Sequence, residues 1–271
     1  KRLPTFIGIG VQRAGTTWFY ECLNQHPEIF MPSQKELGYF GGQRTRDLNW
    51  YHQQFLHGSK AKALGEITPT YILERRAIEQ MLATVPTAKL FVVLREPFSR
   101  AYSAFQLFKQ KRWANMTFAQ AAQRDSDLVR YGLYADQLEA LYEYFPPSQV
   151  HVILYDDVLA KPQAVLAQLF DFIEVDPTFH PPACTQRYNR VIMPKMQANL
   201  YKVGLGQLVD AVKATPIGPW IKRVHARTGK DACDTLGTRD RKRIASYFAA
   251  DIDRVEQIIE RDLSAWRQVA T

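Results

Sequence analysis

The sequence predicts an α/β fold: a mostly parallel central sheet with helices on both faces, a phosphate-binding loop after the first strand and an irregular C-terminal cap. Three observations predict it. Short apolar, β-branched runs stand at 5–11, 88–94 and 149–154, as expected of strands buried on both faces. Helical periodicity separates them, which is the pattern of parallel strands joined by crossovers. Finally, a glycine-bearing turn leads from the first run directly into the first predicted helix.

The elements follow in order. Residues 5–11 (Thr-Phe-Ile-Gly-Ile-Gly-Val) read as the first strand. A helix is predicted from about Thr16 to Gln25, with Trp18, Phe19, Cys22 and Leu23 on its apolar face, and His26-Pro27 ends it. The second strand, 88–94, is followed by Pro97, suited to the first turn of a helix running to about Lys111. Helices at about 133–145 and 162–173 flank the third strand. Beyond Pro177 the texture changes: 177–240 is rich in Pro, Gly and basic residues, and it reads as a cap. A long amphipathic helix from Arg241 to Leu263 closes the chain, with Ile244, Phe248, Ile252, Val255 and Ile259 at the helical period. We read 1–271 as one domain.

Bulk properties narrow the function. A chain of 271 residues, 46% hydrophobic and 23% charged, suits a globular protein with one large core. No apolar run approaches the ~20 residues of a membrane span. Three cysteines, Cys22, Cys184 and Cys233, form no metal-spaced cluster. So sparse and odd a set fits a reducing compartment, and a cytoplasmic location is expected; one Cys184–Cys233 bridge is the alternative. The net charge of +8 is concentrated in 187–243, where thirteen Lys/Arg face four Asp. An anionic ligand or partner is one reading of that segment, a solvated basic surface the other. No metal site and no nucleic-acid partner is expected.

Two motifs carry chemistry. Gly10-Val11-Gln12-Arg13-Ala14-Gly15-Thr16-Thr17 follows a strand and opens a helix, so free backbone N–H groups and the helix dipole favour an anion there. The spacing is close to the nucleotide-binding pattern G-x-x-x-x-G-K-[ST], but Thr16 stands where that pattern has lysine, and the cation, Arg13, lies inside the loop. That argues against an ordinary kinase or NTPase. The second motif, Arg95-Glu96-Pro97 with Ser103 eight residues after Arg95, begins at the carboxyl end of the second strand, where open α/β sheets bind ligands. The arginine fork suits a phosphate; Arg100 is the less favoured reader.

Together these residues resemble the sulfotransferase family, particularly its heparan-sulfate-type branch and related bacterial members. Similarity extends through Tyr131-Gly132-Leu133-Tyr134, Leu154-Tyr155-Asp156-Asp157 and Asp262-Leu263-Ser264-Ala265-Trp266, and is weak across about 181–238. The resemblance implies transfer of a sulfuryl group from 3′-phosphoadenosine 5′-phosphosulfate (PAPS) to a hydroxyl-bearing acceptor, leaving adenosine 3′,5′-bisphosphate. It implies cofactor binding by Arg13, Ala14, Gly15, Thr16, Thr17, Trp18, Arg95 and Ser103, with Arg13 also catalytic.

The base candidates are Glu36, Glu66, His52 and His57; within Lys35-Glu36-Leu37-Gly38-Tyr39-Phe40, Glu36 matches the family's catalytic base, with His52 or His57 as fallback. Glu66-Ile67-Thr68-Pro69 matches a family Glu-Lys-Thr-Pro segment, but Ile67 replaces its lysine, and Arg44 or Arg46 is a candidate substitute cation. Candidate acceptors are a saccharide, a small alcohol, or a β-hydroxyacyl chain on an acyl carrier protein of a polyketide synthase. A P-loop small-molecule kinase using Asp156 or Asp157 for Mg²⁺, and a polyanion-binding module, are the alternatives.

Overall fold

The computed structural model describes residues 2–42, 46–185, 242 and 244–268. Most of the predicted basic cap, Arg44 and Cys233 lie outside the described residues.

Five parallel strands form the core: β1 (Phe6–Gly10), β2 (Ile29–Phe30), β3 (Ala63–Ile67), β4 (Lys89–Leu94) and β5 (Val150–Leu154), in the order β2-β3-β1-β4-β5. The predicted strands are β1, β4 and β5. Two others escaped the sequence reading for physical reasons. β2 has only two residues, too short for any periodicity. β3, Ala-Leu-Gly-Glu-Ile, is wholly buried yet carries a glycine and a glutamate, which break the apolar run. Gly65 is needed for packing: a Cβ there would lie 2.0 Å from the Phe6 ring on the neighbouring strand.

Helices cover the sheet. Among the described residues they are, in chain order, α1 (Thr16–Asn24), α2 (Leu48–Gln53), α3 (Arg75–Thr84), α4 (Pro97–Arg112), α5 (Phe118–Arg124), α6 (Ser126–Arg130), α7 (Ala135–Tyr142), α8 (Tyr155–Ala160), α9 (Pro162–Phe172), α10 (Ala249–Ile259) and α11 (Ser264–Gln268). α4 starts as the sequence predicts, with Pro97 in its first turn. Glu96 caps it by accepting from the N–H groups of Phe98 (2.8 Å) and Ser99 (2.7 Å), which satisfies donors that have no intrahelical partner.

The C-terminal helix is shorter than the 241–263 expected. Residues 246–248 form a turn before α10, and Glu260, with a left-handed backbone (φ 51°), ends it. The apolar period survived because Ile244, Phe248, Ile252 and Val255 are buried on both sides of that turn.

The topology creates the site. From β1 the chain moves to β2 and β3 on one side; from β4 it moves to β5 on the other. The carboxyl ends of the adjacent strands β1 and β4 therefore flank a topological switch point, where a crevice opens in such sheets. The predicted phosphate loop follows β1, and Arg95 follows β4.

Candidate active site

The loop after β1 has the local geometry of a candidate anion site. Gly15 caps α1 with φ 84° and without a side-chain cap. A Cβ at Gly15 would meet the Tyr155 ring at 2.9 Å, so glycine is required by conformation and by space. Among the described residues, the backbone N–H groups of Gly15, Thr16 and Thr17 donate to no protein acceptor. Arg13 adopts φ 75°, a region that non-glycine residues enter at a cost and chiefly at functional sites.

The two motifs meet. Arg13 Nε donates to Ser103 Oγ (3.1 Å), and Arg95 Nη1 donates to the Arg13 carbonyl (3.0 Å). Arg95 also lies over the Tyr155 ring, 4.9 Å from its centroid, and its own carbonyl accepts from Tyr134 Oη (2.7 Å). Neither Arg13 nor Arg95 has a carboxylate partner among the described residues. Burial, and then the neighbouring Arg95, lowers the Arg13 pKa to about 10. Two crowded, unneutralised guanidiniums beside open N–H donors form a strongly anion-seeking pocket. This set fits the two phosphate-bearing ends of PAPS.

Arg100 faces inward instead. It is 0% exposed, donates to the Leu128 carbonyl, and its Nε and Nη1 meet no partner among the described residues. Trp18 is also turned inward: its indole donates to the Cys184 carbonyl (3.3 Å) and its backbone N–H to Gly15 (2.8 Å). Ala14 is buried beneath the loop. Cys22 and Cys184 are free thiols.

Glu36 lies on the segment after β2. Its side chain is about half exposed and pairs with Lys35 Nζ (2.5 Å). Its backbone, like that of Arg13, is left-handed, at φ 62°. No hydrogen bond or ion pair joins Glu36 to Arg13 or Arg95 among the described residues. Arg46 stacks on Trp50, 3.9 Å from the ring centroid, and shares with Leu37, Gly38 and Tyr39 the lining of a cavity of about 220 Å³. Of the fallback bases, His57 adjoins Gly58 and Ser59, whose carbonyls accept from Arg2. That is the amino end of β1, opposite the site. His52 sits in α2.

The sequence assigned no role to Tyr155, which packs against Arg95 and Gly15, and offered Glu66 only as one of several base candidates. Glu66 is 2% exposed and surrounded by hydroxyls: Tyr51 Oη at 2.6 Å, Thr68 Oγ1 at 2.9 Å and Tyr71 Oη at 3.2 Å. Burial raises its pKa to about 7 against those hydrogen bonds. The available signal was a glutamate inside an otherwise apolar strand. Asp156 and Asp157, the carboxylates a kinase would need, are already engaged. Asp156 accepts from the Trp266 indole (2.7 Å) and Asp157 from Arg261 (2.9 Å). No cluster suited to a metal ion occurs among the described residues.

Comparison with known proteins agrees with this geometry. The family model described as "Sulfotransferase domain" matches residues 3–201. The chain is 23% identical to a membrane-associated sulfotransferase of Dictyostelium discoideum, over 64% of this chain and 56% of that protein. It is 27% identical to heparan sulfate glucosamine 3-O-sulfotransferase 5 of Homo sapiens, over 65% of this chain and 55% of that one. The chain thus spans about half the length of the curated relatives it matches.

In fold it is similar to a sulfotransferase from Alicyclobacillus acidocaldarius (TM-score 0.72, 23% identity, 98% of this chain and 100% of that chain). It is also similar to the sulfotransferase domain of the curacin biosynthetic pathway (TM-score 0.53, 20% identity, 92% and 99%). The expected cytoplasmic location is corrected by the likeness to a membrane-associated protein. Sparse cysteines report on disulfide use and carry no information about membrane attachment. No helix among the described residues is long and apolar enough to cross a membrane.

Proposed function

Because the chain belongs to the sulfotransferase family, whose cofactor is PAPS, we propose that it transfers a sulfuryl group to a saccharide hydroxyl, with Glu36 as general base and Arg13 and Arg95 as the cofactor's cationic clamp. The observation that carries the reading is the pair of arginines without carboxylate partners, joined through Ser103 and the Arg13 carbonyl at the switch point. Kinase chemistry is disfavoured by Thr16 at the lysine position and by the engagement of Asp156 and Asp157.

PAPS, when bound, supplies the sulfuryl group and a bisphosphate leaving group. The 5′ end fits the N–H groups of Gly15, Thr16 and Thr17 at the start of α1. Arg13 is aligned by Ser103, and its charge suits the negative charge that grows on the leaving phosphate. Arg95 and Ser103 read the 3′-phosphate. Glu36, half exposed on the segment that follows β2, accepts the acceptor's proton; Lys35 holds that carboxylate before the acceptor arrives. The saccharide class is supported by similarity to heparan sulfate glucosamine 3-O-sulfotransferases. Likeness to the curacin domain is one of fold alone, so an acyl carrier protein is an arm of the acceptor screen. We also propose that 1–271 forms one domain.

The test is a thermal-shift comparison of adenosine 3′,5′-bisphosphate with AMP, followed by transfer of labelled sulfate from PAPS to saccharides, small alcohols and carrier-bound hydroxyacyl chains. A ligand at 100 times its Kd stabilises by about 2.7 kcal/mol, and AMP should shift Tm much less. Equal shifts would remove the 3′-phosphate reader, and transfer confined to the carrier-bound arm would overturn the saccharide assignment.

A further inference from the structure

Hydrogen-bond polarity around Glu66 can be worked out residue by residue. Tyr39 N–H donates to Tyr71 Oη (2.8 Å), and Tyr71 Oη lies 3.2 Å from Glu66 Oε1. Gly38 N–H donates to Thr68 Oγ1 (3.3 Å), and Thr68 Oγ1 lies 2.9 Å from Glu66 Oε2. Each hydroxyl receives a hydrogen from the backbone and passes its own to the carboxylate. Tyr51 Oη donates to Oε1 at 2.6 Å. Every hydroxyl around Glu66 can donate, so the ionised carboxylate meets donors on every side. The N–H groups of Gly38 and Tyr39, two and three residues after Glu36, each end on this one carboxylate through one hydroxyl.

We propose that Glu66 is a positioning residue that fixes the 38–39 backbone and so aims Glu36 into the active site. The role rests on the reading of Glu36 as base. Glu36 needs such support because its backbone is left-handed (φ 62°) and its side chain is half exposed. An isolated loop would leave that conformation readily. Strand β3 supplies the rigidity, since Glu66 is part of the buried ladder beside β1. Tyr39 and Tyr51 stack with centroids 4.0 Å apart, which closes the carboxylate off from water.

Tyr71→Phe and Tyr51→Phe separate positioning from stability. Each deletes one hydroxyl from Glu66, but only Tyr71→Phe also deletes the acceptor of the Tyr39 N–H. We expect similar Tm losses, unchanged Kd for adenosine 3′,5′-bisphosphate in both, and faster amide exchange at 38–39 in Tyr71→Phe alone. With PAPS and an N-sulfated glucosamine oligosaccharide as substrates, kcat of Tyr71→Phe should fall about 10- to 100-fold, the cost of a misplaced reacting group, and fall much less in Tyr51→Phe. Glu36→Gln is the control. If it is inactive while Tyr71→Phe keeps parent kcat, or while both tyrosine variants lose kcat equally, positioning by Glu66 is overturned and the base stands. If Glu36→Gln keeps parent kcat, the base reading falls and takes this role with it.

Discussion

On the β4 side of β1, two arginines crowd each other with no carboxylate between them; on the β3 side, one buried carboxylate collects every donor within reach. The first region is under-compensated, and Arg13 shows it by a pKa pushed down to about 10. Its missing counter-charge is what a phosphate brings, so binding energy is stored as unmet demand. In the second region the Glu66 carboxylate finds its hydrogen-bond partners inside the protein. Satisfied networks of this kind rigidify what they hold, and here they hold the backbone next to Glu36. One sheet thus provides both an affinity site and a rigid mount, and the sign and pairing of buried charge tell them apart.

The comparison can be broken most directly at Glu36, which the rigid side presents. Glu36→Gln should keep cofactor binding, because that binding belongs to the other region, while kcat falls by about 10²–10⁴, the usual contribution of a general base. Steady-state rates with labelled PAPS, together with calorimetry of adenosine 3′,5′-bisphosphate, check both halves. A variant that retained more than about a tenth of parent kcat would transfer the role to His52.

The under-compensated side is tested next. Arg13→Ala and Arg95→Ala should each weaken bisphosphate binding by roughly 1.5–3 kcal/mol, the range for a charge-assisted hydrogen bond. They should differ in kind: Arg95→Ala narrows the preference for bisphosphate over AMP, whereas Arg13→Ala also lowers kcat. Because each removes a half-buried charge that has no carboxylate partner among the described residues, the apo protein should not lose stability in proportion. Calorimetry showing parent affinity in both would take them out of the site.

The smallest effect sharpens the satisfied side. The Glu66 pKa is raised from 4.5 to about 7 by burial, so between those values the folded state keeps a proton that the unfolded state has released. Stability from this group is complete below pH ~4.5 and is lost as pH rises through ~7. Glu66→Gln cannot titrate, so the Tm difference between parent and variant should move in the variant's favour from pH 4.5 to pH 8, on the order of a few °C. A difference that stayed constant with pH would mean that Glu66 titrates as it does in water.

Much of this was legible in the chain itself. β1, β4 and β5 announce themselves because strands buried on both faces must be almost wholly apolar. The loop at 10–17 was readable because glycine and hydroxyl residues at a strand–helix passage have few other uses, and Arg95 because it ends a buried strand. β3 was not readable: Gly65 is there to admit Phe6, and Glu66 is buried only because Tyr51, Thr68 and Tyr71 converge on it. Neither reason is local.

The sequence by itself determined the α/β class and pointed to two candidate anion-binding motifs and the glutamate of the Lys35–Phe40 segment, since each depends on neighbours within a few residues. Only the tertiary structure decided that Arg95 reaches the Arg13 carbonyl, that Arg100 turns inward, that Asp156 and Asp157 tie down the C-terminal helices, and that Glu66 anchors the backbone beside Glu36. Those pairings cross from one strand or helix to another. What a buried charge meets there is set by strand order and packing, which no short stretch of chain contains.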